Sequence, residues 1–172
     1  MVVGPLASNC YLLESHNQCL LIDPGEDIDK VIKFIDHKNI IGILVTHHHY
    51  DHIGSLSYLI DKFHYPVYQY DCLKEGLIKI GNFDIEVIFV PGHTKDSVCY
   101  YFRSEKVMFT GDFLFKESIG RYDFEDSSII EMYHSLKKIV KYDLDIIIYP
   151  GHGDSSSIGY EKLNNPYLKE VE

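Results

Sequence analysis

The feature that most constrains this chain is a cluster of histidine and aspartate side chains directly behind a short apolar run. Residues 47–52 hold four histidines and one aspartate. They follow residues 40–45, IIGILV, a short segment rich in β-branched side chains that indicates a buried strand. In α/β proteins, ligands bind at the carboxyl ends of strands. The sequence therefore predicts an α/β fold with a ligand site at the end of this strand.

The spacing within the cluster indicates two neighbouring metal sites. Side chains alternate along an extended chain, so His47 and His49 point the same way and could share one metal ion. Asp51 and His52 lie where the chain turns into a helix predicted over residues 53–63, and they could reach a second ion. Imidazole and carboxylate groups suit zinc, iron or manganese. A solvated loop would explain a lone H-x-H pair, but the longer pattern H-x-H-x-D-H is far more specific.

By this H-x-H-x-D-H pattern the chain resembles the metallo-β-lactamase-fold hydrolases. In that family the first two histidines bind one metal, and the aspartate and last histidine bind the other. Three later motifs match the family's sources of the remaining ligands: PGHT at residues 91–94, TGD at 110–112 and PGHG at 150–153. The resemblance implies this ligand set: His47, His49 and His93 for the first ion, Asp51, His52 and His152 for the second, and Asp112 as the bridge between them.

The resemblance extends over nearly the whole chain, from NCYLL at residues 9–13 to IGYEKLNNPY at 158–167. PGHG and the last of these motifs make the chain look most like the short, single-domain relatives of glyoxalase II, the hydroxyacylglutathione hydrolases. The implied fold is α/β (α+β), a four-layered αβ/βα sandwich of two mixed β-sheets flanked by helices, forming a single domain over residues 1–172. Asp23, in the motif DPG, is either a turn residue or a support for the metal site.

Three local patterns predict further elements. Gly81-Asn82, between two strand-like segments, predicts a hairpin with a primed turn. Ser128 and Glu131 have the spacing of a capping box and predict the start of a helix. Residues 113–124 are predicted to form a loop.

The implied reaction is metal-dependent, glyoxalase II-like hydrolysis of a 2-hydroxyacyl thioester to a hydroxy acid and a thiol. It needs two divalent transition-metal ions, with zinc expected and iron or manganese as alternatives. Two adjacent cations lower the pKa of water, so a hydroxide held between them could attack the thioester carbonyl. Asp51 could hold the proton of this nucleophile, which would make it a general base as well as a ligand.

Other functions of the same fold stay open from the sequence. A persulfide dioxygenase uses one iron, held by counterparts of His47, His93 and Asp112, and all three are present here. A lactonase is a further hydrolytic alternative. The complete second ligand set favours hydrolysis over the dioxygenase. It also argues against a degenerate scaffold that only binds a partner, because such members lose ligands.

The loop behind Asp112 supplies the candidate substrate-binding residues, Arg121 and Tyr122. A guanidinium can bind a carboxylate of the thiol through two hydrogen bonds. Alternatively, Arg121 pairs with Asp123 or Glu125 and has no contact with substrate. Short relatives usually continue SIGR with TDFPGG, whereas this chain continues with YDFED. This difference predicts a more acidic and differently shaped pocket, and leaves open whether the thiol of the substrate is glutathione or another.

Composition narrows the partners. The formal net charge of −10 argues against nucleic acid, because a protein that follows phosphates needs a basic surface. No apolar run approaches the ~18 residues of a membrane span, and no signal peptide is evident, so the expected location is the cytoplasm. The four cysteines are scattered and are expected to be free thiols. The expected partner is a small-molecule thioester.

Overall fold

The computed structural model describes residues 1–171 of the chain. Its strands are β1 Val2–Val3, β2 Ser8–Asn9, β3 Tyr11–Ser15, β4 Gln18–Ile22, β5 Ile40–Leu44, β6 Val67–Tyr68, β7 Gly76–Ile80, β8 Phe83–Phe89, β9 Val98–Phe102, β10 Val107–Gly111, β11 Leu114–Phe115, β12 Ser118–Ile119, β13 Ile147–Pro150 and β14 Ser156–Ser157. Its α-helices are α1 Ile28–Ile35, α2 Tyr50–Ile53, α3 Leu56–Phe63, α4 Ile129–Ile139, α5 Ile158–Asn164 and α6 Pro166–Lys169.

Two mixed sheets form the centre of the molecule. One has the strand order β3-β4-β5-β6, in which β4, β5 and β6 are parallel and β3 is antiparallel. The other has the order β14-β13-β10-β9-β8-β7, in which β10 and β13 are parallel and the remaining pairs are antiparallel. The hairpin predicted at Gly81-Asn82 is the β7–β8 connection.

The main core lies between the two sheets. Leu20 and Leu44 from the smaller sheet belong to the same buried cluster as Tyr100 and Phe102 from the larger one. All four side chains are fully buried. Burying a side chain of this size stabilises the folded state by about 1.5–3 kcal/mol. This shared apolar layer holds the sheets face to face.

Helices cover the outer face of each sheet. Leu21 points away from its neighbour Leu20 and packs with Val31 of α1 and Leu59 of α3. On the larger sheet, Met108 packs with Met132 of α4 in a third cluster, which also includes α5 and α6. Three apolar clusters therefore separate four layers. The predicted αβ/βα sandwich is confirmed.

The predicted helix over residues 53–63 is wrong at its start. The structure has a short helix α2 that contains Asp51 and His52, and then α3 from Leu56. The backbone of Gly25 explains the break. Its N–H donates to the carbonyl of His52, and its own carbonyl accepts from the N–H of Ser55, so these groups cannot extend one helical ladder.

The segment predicted as a loop over residues 113–124 contains a small hairpin, in which β11 pairs antiparallel with β12. The two strands are so short that no alternation of polar and apolar side chains could have revealed them. The predicted cap of α4 is confirmed in one half, since the Ser128 hydroxyl accepts from the N–H of Glu131. The N–H of Ser128 donates to the carbonyl of Gly92 instead of to Glu131, and so ties α4 to the PGHT loop.

Candidate metal centre

The ligand motifs follow strands β5, β8, β10 and β13. Strand β9 is antiparallel to both β8 and β10, and β13 is parallel to β10, so β8, β10 and β13 run in the same direction. Their carboxyl ends consequently lie at one edge of the larger sheet. The end of β5 brings the histidine cluster of the smaller sheet to the same place, because His47 and His49 lie beside His93 from the loop after β8.

The first ligand group consists of three imidazoles. The candidate ligand nitrogens of His47, His49 and His93 all lie within 4.8 Å of one another. Nε2 of His93 is 3.0 Å from Nδ1 of His49. His47 and His93 are buried, and His49 is half-buried. These are the three side chains that the sequence assigned to the first ion.

The second ligand group combines two imidazoles with a carboxylate. The candidate ligand atoms of Asp51, His52 and His152 also lie within 4.8 Å of one another. Oδ2 of Asp51 is 3.2 Å from Nε2 of His152 and 3.4 Å from Nε2 of His52. These are the side chains assigned to the second ion.

Asp112 lies between the two groups. Its Oδ2 is 3.6 Å from Nε2 of His93 in the first group and 3.5 Å from Nε2 of His152 in the second. Its Oδ1 is 3.3 Å from Nε2 of His52. A Cβ atom at Gly151 would lie 2.1 Å from that Oδ1, so the PGHG loop requires glycine beside the carboxylate. The position fits the bridge that the sequence assigned to this residue.

Three buried atoms of the cluster show that it suits metal ions. Nε2 of His47, Nε2 of His52 and Oδ1 of Asp112 are buried and have no hydrogen-bond partner among residues 1–171. An unpaired buried polar atom carries a desolvation penalty of about 1–3 kcal/mol. Imidazole nitrogen and carboxylate oxygen are ligands for divalent transition metals, which would satisfy these atoms. The arrangement can therefore hold divalent metal.

Asp23 supports both ligand groups. It accepts hydrogen bonds from the backbone N–H of Thr46 at 2.8 Å and from its hydroxyl at 2.6 Å. Because that hydroxyl proton goes to Asp23, Nδ1 of His47, 3.1 Å from the same oxygen, must be the donor. Nδ1 of His52 also donates to Asp23, at 3.0 Å. Both histidines thus keep Nε2 available for metal, and Asp23 is more than a turn residue.

Two further contacts orient ligands, and the sequence patterns did not indicate them. Nδ1 of His93 donates to the backbone carbonyl of Arg121 at 2.7 Å. The hydroxyl of Ser8 donates to Oδ2 of Asp51 at 2.7 Å. Ser8 is buried in β2, and its backbone also forms a β-bridge with His152. In the sequence, only its position just before the NCYLL motif could have drawn attention to Ser8.

Two imidazoles of the first group, those of His47 and His93, favour the neutral state. Burial and the nearby positive charge of His52 hold the pKa of His47 well below its ordinary value. Burial also lowers the pKa of His93. A neutral imidazole is the form that binds a metal ion.

The imidazoles of the second group favour the protonated state, because carboxylates surround them. Burial lowers the pKa of His52, but Asp112 and Asp23 outweigh it and raise the pKa to about 10. Contacts with Asp112 and Asp51 raise the pKa of His152 to about 9. Burial likewise opposes ionisation of Asp112, yet His152 and His52 hold its pKa well below the usual range. Without a metal ion, the protons on His52 and His152 thus balance the negative charge of the surrounding carboxylates, which a bound metal ion would balance instead.

A cleft of about 520 Å³ opens over the ligands. Besides ligand side chains, its lining comprises Leu6, Tyr50, Phe115, Arg121 and Phe124. Arg121 therefore lies where the sequence predicted it. Tyr122 is exposed and is not among the lining residues, and its contact with substrate stays a prediction.

Arg121 is paired within its own loop. Its guanidinium donates from Nε and Nη2 to the two carboxylate oxygens of Asp123, at 2.9 and 3.0 Å. The guanidinium carbon also lies 4.4 Å from the ring centroid of Phe124. The pairing with Asp123 that the sequence left open is thus present. The apolar side chains of the cleft carry no sequence pattern that singles them out.

The remaining groups lie outside the ligand cluster. His48 pairs with Asp96 in an adjacent cleft of about 480 Å³. The four cysteines are free thiols, as predicted, and Cys72 is the exposed one. Within residues 1–171, the helices are too short or too polar to cross a membrane.

The fold and the site together define a protein of the αβ/βα sandwich class with a metal-binding centre at its strand ends. The sequence profile of the Metallo-beta-lactamase superfamily matches residues 3–71 and 73–152. The chain belongs to this superfamily, as its resemblance indicated. The family and the relatives below indicate a metal-dependent hydrolase.

Two relatives match along nearly their full lengths. The hydroxyacylglutathione hydrolase GloC of Haemophilus influenzae is 30% identical, over 96% of this chain and 95% of its own length. The probable metallo-hydrolase YqgX of Bacillus subtilis is 30% identical, over 98% of this chain and 95% of its own length.

Solved structures share the fold closely. BLEG-1 B3 metallo-beta-lactamase superposes with a TM-score of 0.93 at 30% identity, covering 98% of this chain and 97% of that one. TTHA1623 in a di-iron-bound form gives 0.91 at 29%, covering 98% of both chains. ETHE1 from Myxococcus xanthus gives 0.86 at 28%, covering 96% of this chain and 81% of that one.

Proposed function

We propose that this protein is a dinuclear metal-dependent hydrolase of thioesters, similar to glyoxalase II, that converts an S-2-hydroxyacyl thioester to a hydroxy acid and a thiol. The observation that carries the proposal is the completeness of the ligand set, with two groups of three side chains and Asp112 within reach of both. The similarity to hydroxyacylglutathione hydrolase GloC supports the substrate class.

The proposed ions would be held by His47, His49 and His93 on one side and by Asp51, His52 and His152 on the other, with Asp112 shared. When bound, two such ions supply a hydroxide nucleophile at neutral pH and polarise the thioester carbonyl. We take them to be zinc, with iron or manganese as alternatives. The di-iron form of TTHA1623 supports the iron alternative.

Asp51 is the proposed general base. Its contacts with Ser8, His52 and His152 all use Oδ2, which leaves Oδ1 to accept the proton of the attacking water. The apolar side chains of Leu6, Phe115 and Phe124 would exclude water from the bound thioester. A thiolate is a good leaving group, so the site needs no dedicated acid to protonate it.

The second candidate function is a persulfide dioxygenase with a single iron at His47, His93 and Asp112. The likeness to ETHE1 fits this alternative. A lactonase of the same fold is the other hydrolytic candidate. The carboxylate and two imidazoles of the second group favour the hydrolases, because a single-iron reaction leaves these side chains without a role.

Turnover of S-lactoylglutathione or a related 2-hydroxyacyl thioester by the purified, metal-loaded protein tests the proposal. We expect release of free thiol that a chelator abolishes and added metal restores. Asp51→Ala should lower kcat by about 10²- to 10⁴-fold, the usual contribution of a general base, when kcat is normalised to the metal content of each preparation. Oxygen consumption with glutathione persulfide, in a preparation inert toward thioesters, would assign the dioxygenase instead.

A further inference from the structure

The wall of the cleft has one feature that the hydrolytic chemistry does not require. Among the described residues that line it, Arg121 is the one lysine or arginine side chain. It lines the cleft together with candidate metal ligands and the apolar side chains of Leu6 and Phe115. A lone guanidinium at such a place would attract a carboxylate of the substrate.

The guanidinium of Arg121 already forms an ion pair with Asp123. Both carboxylate oxygens of Asp123 accept from Arg121, and Phe124 stacks against the same group. Such a bidentate pair presents no net positive charge to a ligand. A substrate carboxylate can bind Arg121 only by displacing Asp123 or by lying beside its negative charge.

The surroundings add to the negative charge. The adjacent cleft, which shares His49 with the first, is lined by Asp71, Asp96 and Asp126, against Lys95 and the His48 that pairs with Asp96. The formal charge of the whole chain is −10. The neighbouring cleft therefore adds negative side-chain charge beside the cleft that holds the candidate ligands.

The cleft also offers apolar surface to a substrate. Leu6 is 65% exposed and Phe124 is 37% exposed, and both line the cleft together with Phe115. Exposed apolar side chains grouped in a concave site are typical of a ligand-binding surface. A substrate would therefore meet apolar side chains and an Arg121 guanidinium whose charge is neutralised by Asp123.

From this arrangement we propose that Asp123 is a specificity-determining residue, which makes the cleft select thioesters with a neutral, apolar thiol portion over thioesters of anionic thiols. The inference rests on the proposed function and names its substrate class. Glutathione carries two carboxylates and one ammonium and is a net anion at neutral pH, so it belongs to the disfavoured class. The acyl group and the reacting bond are the same in both classes.

Binding of two matched thioethers tests this selectivity without turnover. S-butylglutathione and S-butyl-N-acetylcysteamine share the apolar tail and differ in charge, and calorimetry on the metal-loaded protein gives a Kd for each. We expect the wild type to bind the neutral thioether more tightly. Asp123→Asn should shift the ratio of the two affinities toward the glutathione thioether by about 2- to 5-fold, the size of effect expected for one exposed charge.

Asp84→Asn is the matched control. Asp84 pairs with Lys79 on the β7–β8 hairpin, at the opposite end of β8 from the ligands, and the substitution removes the same charge from the chain. It should leave the ratio unchanged. In the double variant Arg121→Ala/Asp123→Asn the shift should disappear, because the released guanidinium is what would bind the carboxylate.

Tighter binding of the glutathione thioether by the wild type would overturn the inference, as would equal ratios for Asp123→Asn and Asp84→Asn. Hydrolysis of the corresponding lactoyl thioesters is measured separately. Selective binding without hydrolysis of either thioester would contradict the proposed function while supporting the selectivity.

Discussion

The two ligand groups differ in how their side chains balance charge, although they lie side by side and share Asp112. The first consists of His47, His49 and His93, and burial keeps the pKa of His47 and of His93 low. The second contains Asp51, and the pKa values of its histidines are raised. His47 and His93 of the first group are thus held neutral, whereas both histidines of the second group are held protonated.

The difference follows from the number of carboxylates nearby. His52 lies against Asp23, Asp51 and Asp112. His47 has Asp112 nearby but reaches Asp23 only through the hydroxyl of Thr46, and its complete burial outweighs the effect of Asp112 on its pKa. A metal ion entering the first group meets the neutral imidazoles of His47 and His93. One entering the second group must displace protons and gains more negative charge in return. We expect the two sites to respond differently to substitution and to pH.

The largest effect should come from Asp112→Ala, because Asp112 is the one residue predicted to be a ligand of both ions. We expect metal content to fall from about two ions per chain to less than one. The loss of metal affinity should exceed the factor of about 10 to 100 that is typical when a residue hydrogen-bonded to a metal ligand is removed. Elemental analysis after dialysis measures it. His47→Ala and His152→Ala are the comparisons, and each should cost mainly one ion. One iron and no second metal in the reconstituted wild type would refute the dinuclear assignment.

A second effect is expected from pH, and it separates the two groups. With pKa values of about 10 and about 9, His52 and His152 are protonated at neutral pH before metal binds, and each must lose its proton to become a ligand. Affinity for the second ion should therefore weaken as pH falls, by about tenfold per pH unit for each proton displaced. His47 and His93, with lowered pKa values, have no proton to lose at neutral pH.

Calorimetric titration with zinc between pH 8 and pH 6, in buffers of different ionisation enthalpy, measures both the affinities and the protons released. We expect stoichiometry to decline toward one ion as the pH is lowered. Equal pH slopes for the two ions would remove the distinction between the groups.

The smallest effect should come from Ser8→Ala, which removes the hydrogen bond to Oδ2 of Asp51. One such bond is worth about threefold to tenfold in affinity. We expect this loss for the second ion and less than about twofold for the first, measured by competition with a chelator. Ser15→Ala, on the partly exposed end of β3, is the matched control and should change neither. Equal weakening of both ions would show that Ser8 supports the fold and not Asp51 in particular.

Prediction from sequence succeeded for features that are encoded by a short local pattern of residues. The run at residues 40–45 predicted β5, and Gly81-Asn82 predicted the β7–β8 hairpin. The structure brings the seven predicted ligand side chains together in two groups and a bridge. Prediction failed at the start of the helix after His52, because the competing backbone partner, Gly25, lies far away along the chain.

The sequence by itself determined which ligand types stand at which strand ends, because strand periodicity and residue chemistry are local properties. Only the tertiary structure decided which side chains hydrogen-bond to those ligands and which charges pair with each other beside them. Ser8 reaches Asp51 across 43 positions, and Asp23 reaches His52 across 29. Asp123, rather than Glu125, takes the guanidinium of Arg121. Such pairings depend on how the loops lie once the sheets have packed, and no spacing within a single segment encodes that.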